Sequence, residues 1–252
     1  AGLILLGLRG ELSLDSMEIS NNTAASASAL WVSGGNTSTR ISDSKFANNE
    51  ANEGTVIFLE DCDGLYFSES QITGTRGSGA IYARCSNQPI TVRESKFIDN
   101  TSGNSAWSMV ALLTDEILEF SRNVVSGNVG SFAFNAPTSL ISRNIFEDNE
   151  CYGSHDEDFD YMWSGISVSG RSSGEVRFSR NLVRGSRCTL NLSISSALVV
   201  SNNLLDAFPS RFLLTGQANL NFSNNTVVSN AFASSEGIES ESPPSVRIRS
   251  GT

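Results

Sequence analysis

Four groups of residues in this chain have types and spacings suited to chemistry. Cys62, Cys85, Cys151 and Cys188 could oxidise in pairs. Arg122, Arg143 and Arg180 recur at one position of a repeat, where guanidinium groups could grip a carboxylated or sulfated glycan bidentately. Asp156, Asp158 and Asp160 stand with Glu147, Asp148, Glu150 and Glu157 around His155, and hard cations such as calcium take several carboxylate oxygens. Sequons for N-glycosylation begin at Asn21, Asn36, Asn100, Asn191, Asn221 and Asn224.

Residues this far apart in sequence meet only if the chain repeats, and it does. A nine-column pattern recurs nine times. Its first column, Leu14, Ile41, Phe67, Val92, Phe120, Ile141, Phe178, Val200 and Phe222, is apolar throughout. So is the sixth: Ile19, Phe46, Ile72, Phe97, Val125, Phe146, Val183, Leu205 and Val227. The fourth column holds Met17, Ser44, Ser70 and Ser95, then asparagine at Asn123, Asn144, Asn181, Asn203 and Asn225. The ninth is polar in all copies but one, reading Asn22, Asn49, Thr75, Asn100, Asn128, Asn149, Ser186, Phe208 and Asn230. Copies begin 21 to 37 residues apart. Self-similarity at that period means stacked units rather than one mixed core.

Two residues before the first column sit Leu12, Leu65, Ile90, Leu118, Val176, Leu198 and Leu220. That alternation reads as a short strand with one buried face. A third strand per coil is visible at 29–32, 56–59, 80–82, 132–134, 166–168 and 212–214, and no window carries a convincing helical stripe. The fourth-column asparagine reads as a tight turn, because its side chain tolerates left-handed backbone, and as an amide that stacks on its copy one coil away. The pattern predicts an all-β fold, a right-handed parallel β-helix of nine to ten coils with three short strands per coil and an asparagine ladder. At about 4.8 Å per coil the rod is roughly 45 Å long. A single domain is expected over residues 1–236, with an insert at about 150–170, and residues 237–252 are a final strand or a tail.

The chain resembles the right-handed parallel β-helix superfamily of pectate lyases and many surface proteins. Its repeats are similar to those of the chlamydial polymorphic outer-membrane proteins, whose passengers repeat Phe-x-x-Asn and Gly-Gly-Ala-aliphatic motifs. Phe46 to Asn49, Phe97 to Asn100 and Phe146 to Asn149 match the first motif in register. Ile19 to Asn22, Val125 to Asn128 and Val227 to Asn230 match it with an aliphatic residue substituted. Gly79-Ala80-Ile81 comes closest to the second motif, and Gly54-Thr55-Val56 is weaker. The resemblance covers roughly residues 12–230 and implies the fold. No segment resembles the membrane-embedded barrel of those proteins, so it does not imply autotransport. The pectate lyase branch would imply an arginine base beside carboxylates holding calcium, a role for Arg143 or Arg180 near the insert. No run such as Asn-Thr-Asp or Arg-Ile-Lys matches the polygalacturonase branch.

The register assigns the four groups. Cys151 lies two residues after Asn149, and Cys188 two after Ser186, so they share a column in adjacent coils. Gly54 precedes Cys62 by eight residues and Gly77 precedes Cys85 by eight, which suggests the same for the other pair. Stacked coils would bring each pair within the Cα window of a disulfide. The alternative is four small buried hydrophobes. Disulfides imply an oxidising compartment, hence an extracellular or cell-surface location. The arginines fall in the third column, which runs Ser16, Asp43, Glu69, Glu94, Arg122, Arg143, Arg180, Asn202 and Asn224 and so changes sign along the rod. Carboxylates such as Glu119 and Glu175 are expected to pair with them. Asn191, Asn221 and Asn224 should face outward, whereas Asn100 sits in the ninth column, where burial disfavours modification. The acidic insert lacks the glycine-centred spacing of an EF-hand loop and reads as a solvated loop, with Asp156, Asp158 and Asp160 as weak cation ligands.

Composition bounds the rest. The chain has 252 residues, 39% hydrophobic, ample for one elongated core, and a net charge of −10 that argues against nucleic acid and anionic membranes as partners. No stretch is long enough to span a bilayer as a helix. The cysteines are scattered and there is one histidine, so no metal centre or cofactor is expected. The expectation is a non-enzymatic extracellular structural or surface-display protein, glycosylated and stacking on itself head to tail into a fibre. The alternatives are a glycan-binding adhesin module, or a polysaccharide lyase or hydrolase acting on acidic polysaccharide.

Overall fold

The computed structural model describes residues 3–25, 27–51, 54–77, 79–102, 108–151, 165–170, 174–186, 188–193, 197–206, 211–216, 219–228 and 245–250. Every element among them is a strand. The chain is an all-β parallel solenoid. Three long parallel sheets run along it, of ten, nine and nine strands.

The repeat columns are the register. In the first nine-stranded sheet, from Gly10–Asp15 to Asn219–Ser223, Leu14 pairs with Ile41, Ile41 with Phe67, Phe67 with Val92 and Val92 with Phe120. The series continues through Ile141, Phe178, Val200 and Phe222. The other nine-stranded sheet, from Glu18–Ser20 to Thr226–Val228, pairs the sixth column in the same way. The ten-stranded sheet contains all six expected third strands, together with Val110–Thr114 and Thr189–Ser193, and Ser245–Ser250 is its last strand. Three strands per coil is incomplete for the first four copies. There a fourth small sheet joins Thr23–Ala24, Glu50–Ala51, Arg76–Gly77 and Thr101–Ser102.

Inside the coil, phenylalanine alternates between columns. Phe46 and Phe97 lie in the sixth column of their coils and Phe67 and Phe120 in the first column of theirs, each ring 6.0 to 6.5 Å from the next. Phe146 continues the zigzag at 6.2 Å from Phe120. Most coils therefore set one phenylalanine against one aliphatic residue, a pairing that keeps the side-chain volume per coil similar. All five rings are fully buried. The column two residues before the first is apolar except at Thr39 and Ser139, which also point inward and are buried.

The turns correct one sequence-based expectation. The left-handed residue is not the fourth-column asparagine but the residue before it. Ser16, Asp43, Glu69, Glu94, Arg122, Arg143, Arg180, Asn202 and Asn224 all have φ between 48° and 59°. This reversal turns the third-column side chain out to solvent and the fourth inward. There the asparagine is saturated. Asn144 Nδ2 donates to Phe120 O of the preceding coil at 2.8 Å and to Asn181 Oδ1 of the next at 3.0 Å. Its own Oδ1 accepts from the backbone N and Nδ2 of Asn123, at 2.9 and 3.2 Å. Both donors and both lone pairs of the buried amide are used. Serine continues the ladder with one oxygen: Ser44 N donates to Ser70 Oγ, Ser70 N to Ser95 Oγ and Ser95 N to Asn123 Oδ1. A second ladder follows the ninth column, where Asn100 donates to Asn128 Oδ1 and Asn128 to Asn149 Oδ1, each at 2.9 Å.

Candidate functional site

The third column is the most distinctive outward feature. Its charged members are exposed, fixed at a corner between two sheets and repeated at the coil spacing. Holding a residue with a Cβ in the left-handed region costs about 1 kcal/mol. The ladder compensates, because only this reversal aims the next side chain at the stack. Glu94 and Arg122, neighbours in the column where its sign changes, form an ion pair. The expected carboxylate partners are engaged elsewhere. Glu119 accepts from Ser121 Oγ at 2.6 Å, and Glu175 binds Arg177 at 2.8 Å. Arg143 and Arg180 are exposed and form no ion pair among the described residues. The structure thus brings Arg122, Arg143 and Arg180 into one line on adjacent coils, one neutralised by Glu94 and two without an ion-pair partner among the described residues.

Both cysteine pairs are disulfides between adjacent coils. Cys62 and Cys85 have Cα atoms 4.4 Å apart, and Cys151 and Cys188 4.8 Å apart. The count that suggested the first pair treated Gly54 and Gly77 as equivalent, and they are not. Gly77 pairs with Ala51. Two additional residues before Ile57 and one bulged residue, Asp61 at φ 55°, restore Cys62 to the register of Cys85. The equal counts from the two glycines were coincidental.

The sequons fall into two classes. Asn21, Asn36, Asn221 and Asn224 are exposed, and Asn191 is half-buried between the inward Leu190 and Leu192. Asn100 is fully buried, and its Nδ2 is committed to Ile72 O and Asn128 Oδ1. A glycan there would break the second ladder.

Asp156, Asp158 and Asp160 lie outside the described residues, as does His155. Beside the insert, Glu147 and Arg184 pair across adjacent coils, and the bond to Glu147 raises the Arg184 pKa. Among the described residues no three His, Cys, Asp or Glu side chains converge as a metal site would require, and no helix is long and apolar enough to cross a membrane.

Some outward groups were not singled out by sequence. Trp31, Phe58 and Tyr82 line up along the ten-stranded sheet, Trp31 edge-on to Phe58 at 5.6 Å and Phe58 stacked on Tyr82 at 4.9 Å. Burial, with Glu60 nearby, pushes the Tyr82 phenol upward. On the neighbouring sheet the Tyr66 ring carries Arg40 at 4.5 Å and Arg93 at 5.1 Å. Aromatic residues at equivalent positions in successive third strands were the available signal for the stack. No family model, curated protein or solved structure matches the chain.

Proposed function

We propose that the chain is a non-catalytic, extracellular structural rod that displays its outer columns and extends end to end. The direction of its strong bonds carries this reading. Both disulfides and both amide ladders run along the rod axis, from coil to coil. Covalent and polar cohesion therefore both resist separation of the coils, as a rod under tension requires. Disulfides persist in oxidising compartments, which supports secretion or surface exposure. The ladder supports end-to-end growth because it is directional. Asn225 accepts from the backbone N and Nδ2 of Asn203 and donates back to Val200 O at 2.8 Å, so the bonding scheme of one coil passes unchanged to the next. The Phe-x-x-Asn repeats shared with chlamydial passengers support a surface role by fold-level likeness alone.

A second reading, a glycan-binding module, is favoured by the exposed Arg143 and Arg180, which have no ion-pair partner among the described residues. The test of the first reading is to incubate the oxidised, secreted chain with pectate, alginate and sulfated polysaccharides, with and without calcium. Polymer length should stay unchanged. Shortening of any of them would replace this reading with a lyase or hydrolase.

A further inference from the structure

The third column is a charge sequence that complements itself when reversed. Over six successive coils it reads Asp43, Glu69, Glu94, Arg122, Arg143, Arg180, all exposed, left-handed and in register. We propose that this ridge is the contact of an antiparallel, side-by-side dimer of two copies of this chain.

A two-fold axis across the ridge, between the Glu94 and Arg122 coils, would oppose Arg122 to Glu94, Arg143 to Glu69 and Arg180 to Asp43 of the second copy. Because the contact is isologous, each pairing occurs twice. One coil further out, Ser16 would face Asn202, so the column has no mismatch over eight coils. At the centre, the intrachain pair of Glu94 and Arg122 meets its own copy as an alternating ring of four charges.

The flanking columns obey the same symmetry. In the second column Ser42 faces Ser179, Ser68 faces Ser142 and Arg93 faces Ser121, so small polar residues let the ridges approach. In the fifth column Lys45 faces Leu182, Gln71 faces Ile145 and Lys96 faces Val124. Ile145 and Leu204 are 36% and 42% exposed, and lysine and glutamine stems or a glutamate would cover this aliphatic stripe. No like charges oppose each other in these three columns. The first like pair lies farther round, where Arg40 would face Arg177. Arg40 is held over Tyr66 and Arg177 by Glu175, which marks the lateral limit of the contact.

A polysaccharide fits the ridge less well. An anionic polymer following the arginines would find Arg122 already neutralised by Glu94 and then run onto Glu69 and Asp43.

The contact is narrow, a strip about 30 Å long at the coil spacing. It falls short of the roughly 800 Å² per partner of a standard stable interface, so the affinity is modest. Sedimentation equilibrium at about 0.1 M salt, where distant like charges are screened and contact pairs are not, is the test. The expected result is a concentration-dependent dimer of the unmodified chain, weakened about tenfold or more by Glu69→Arg or by Arg143→Glu. The double variant Glu69→Arg/Arg143→Glu should dimerise like the parent. An equimolar mixture of the two single variants should associate more tightly than either alone, since both opposed pairs become attractive. Folding is guarded, because arginine and glutamate each already occupy this left-handed position in neighbouring coils. A chain that stays monomeric throughout, a dimer indifferent to the single reversals, or a mixture no tighter than its components would overturn the proposal. So would a monomer whose Arg143 and Arg180 bind heparin. Each reversal should leave end-to-end stacking intact, which separates this contact from the proposed rod assembly.

Discussion

Asn144 gives two hydrogens to a single oxygen of the next coil: its backbone N and its Nδ2 both lie 3.0 Å from Asn181 Oδ1. The arrangement binds the turn of one coil to the turn of the next through one buried side chain. Repeated along the column, it makes each coil the template for its neighbour.

Replacing Asn144 with alanine would leave Asn123 N without its acceptor, strip Asn123 Nδ2 of one of its two acceptors, with Val92 O remaining, and remove the side-chain donor to Phe120 O inside the stack. An unsatisfied buried group costs about 1–3 kcal/mol, and so the variant should lose about 2–4 kcal/mol of local stability. Asn144→Ser should lose less, since serine already sustains the ladder at Ser44, Ser70 and Ser95. Hydrogen exchange resolved to the Asn123 and Asn144 turns reads the difference, because stacked coils need not unfold as one unit.

The corner position gives a second expectation. Arg143→Gly relieves a left-handed residue of its Cβ and should be neutral or stabilising by up to about 1 kcal/mol. Arg143→Val should destabilise, since β-branching is worse tolerated there. Gly127→Ala should also destabilise. Gly127 has φ 65°, and an added Cβ would overlap Asp99 Oδ1 of the preceding coil. Urea midpoints of the three variants check the order.

Peptide mapping of the unreduced chain should recover Cys62 joined to Cys85 and Cys151 joined to Cys188, with sequence separations of 23 and 37. On a loop-entropy basis each bridge contributes about 3–4 kcal/mol. Replacing either pair with serine should lower the melting temperature, and no loss for either would show that the bridge is dispensable.

Expression through a eukaryotic secretory pathway should add glycans at exposed sequons such as Asn36 and leave Asn100 bare. Site occupancy by mass spectrometry decides it. A folded chain with a sugar on Asn100 would contradict the second ladder.

The Tyr82 phenol should ionise above the ordinary tyrosine value, because burial beside Glu60 opposes its anion. Its folded pKa is raised, so its contribution is fully present below about pH 10 and is lost as pH rises through the higher folded value. The difference in alkaline absorbance titration between the parent and Tyr82→Phe reads it.

Much of this was legible in sequence because the first and sixth columns are apolar for one reason, burial on strands, and burial fixes register. The direction of the fourth column was less legible. Asparagine is common in left-handed turns, yet here the neighbouring Arg143 and Glu69 take that conformation so that Asn144 and Ser70 can point inward. Residue type alone favours the opposite assignment, and only the unmet peptide groups of a buried turn decide it. The Gly54 count reached the right partner, Cys85, through non-equivalent glycines, because insertions and the Asp61 bulge are invisible to spacing. Opposed charges in one column were visible from the start, but their meaning depends on the corner that turns them outward.

We propose that the axial bonds of the stack continue from one copy of the chain to the next. Electron microscopy of the oxidised chain over a range of concentrations tests it most directly. The prediction is rods one chain wide, or two where ridges pair, whose length grows with concentration in steps of roughly 45 Å, the length of about nine stacked strands. Single particles of one length at every concentration would contradict it.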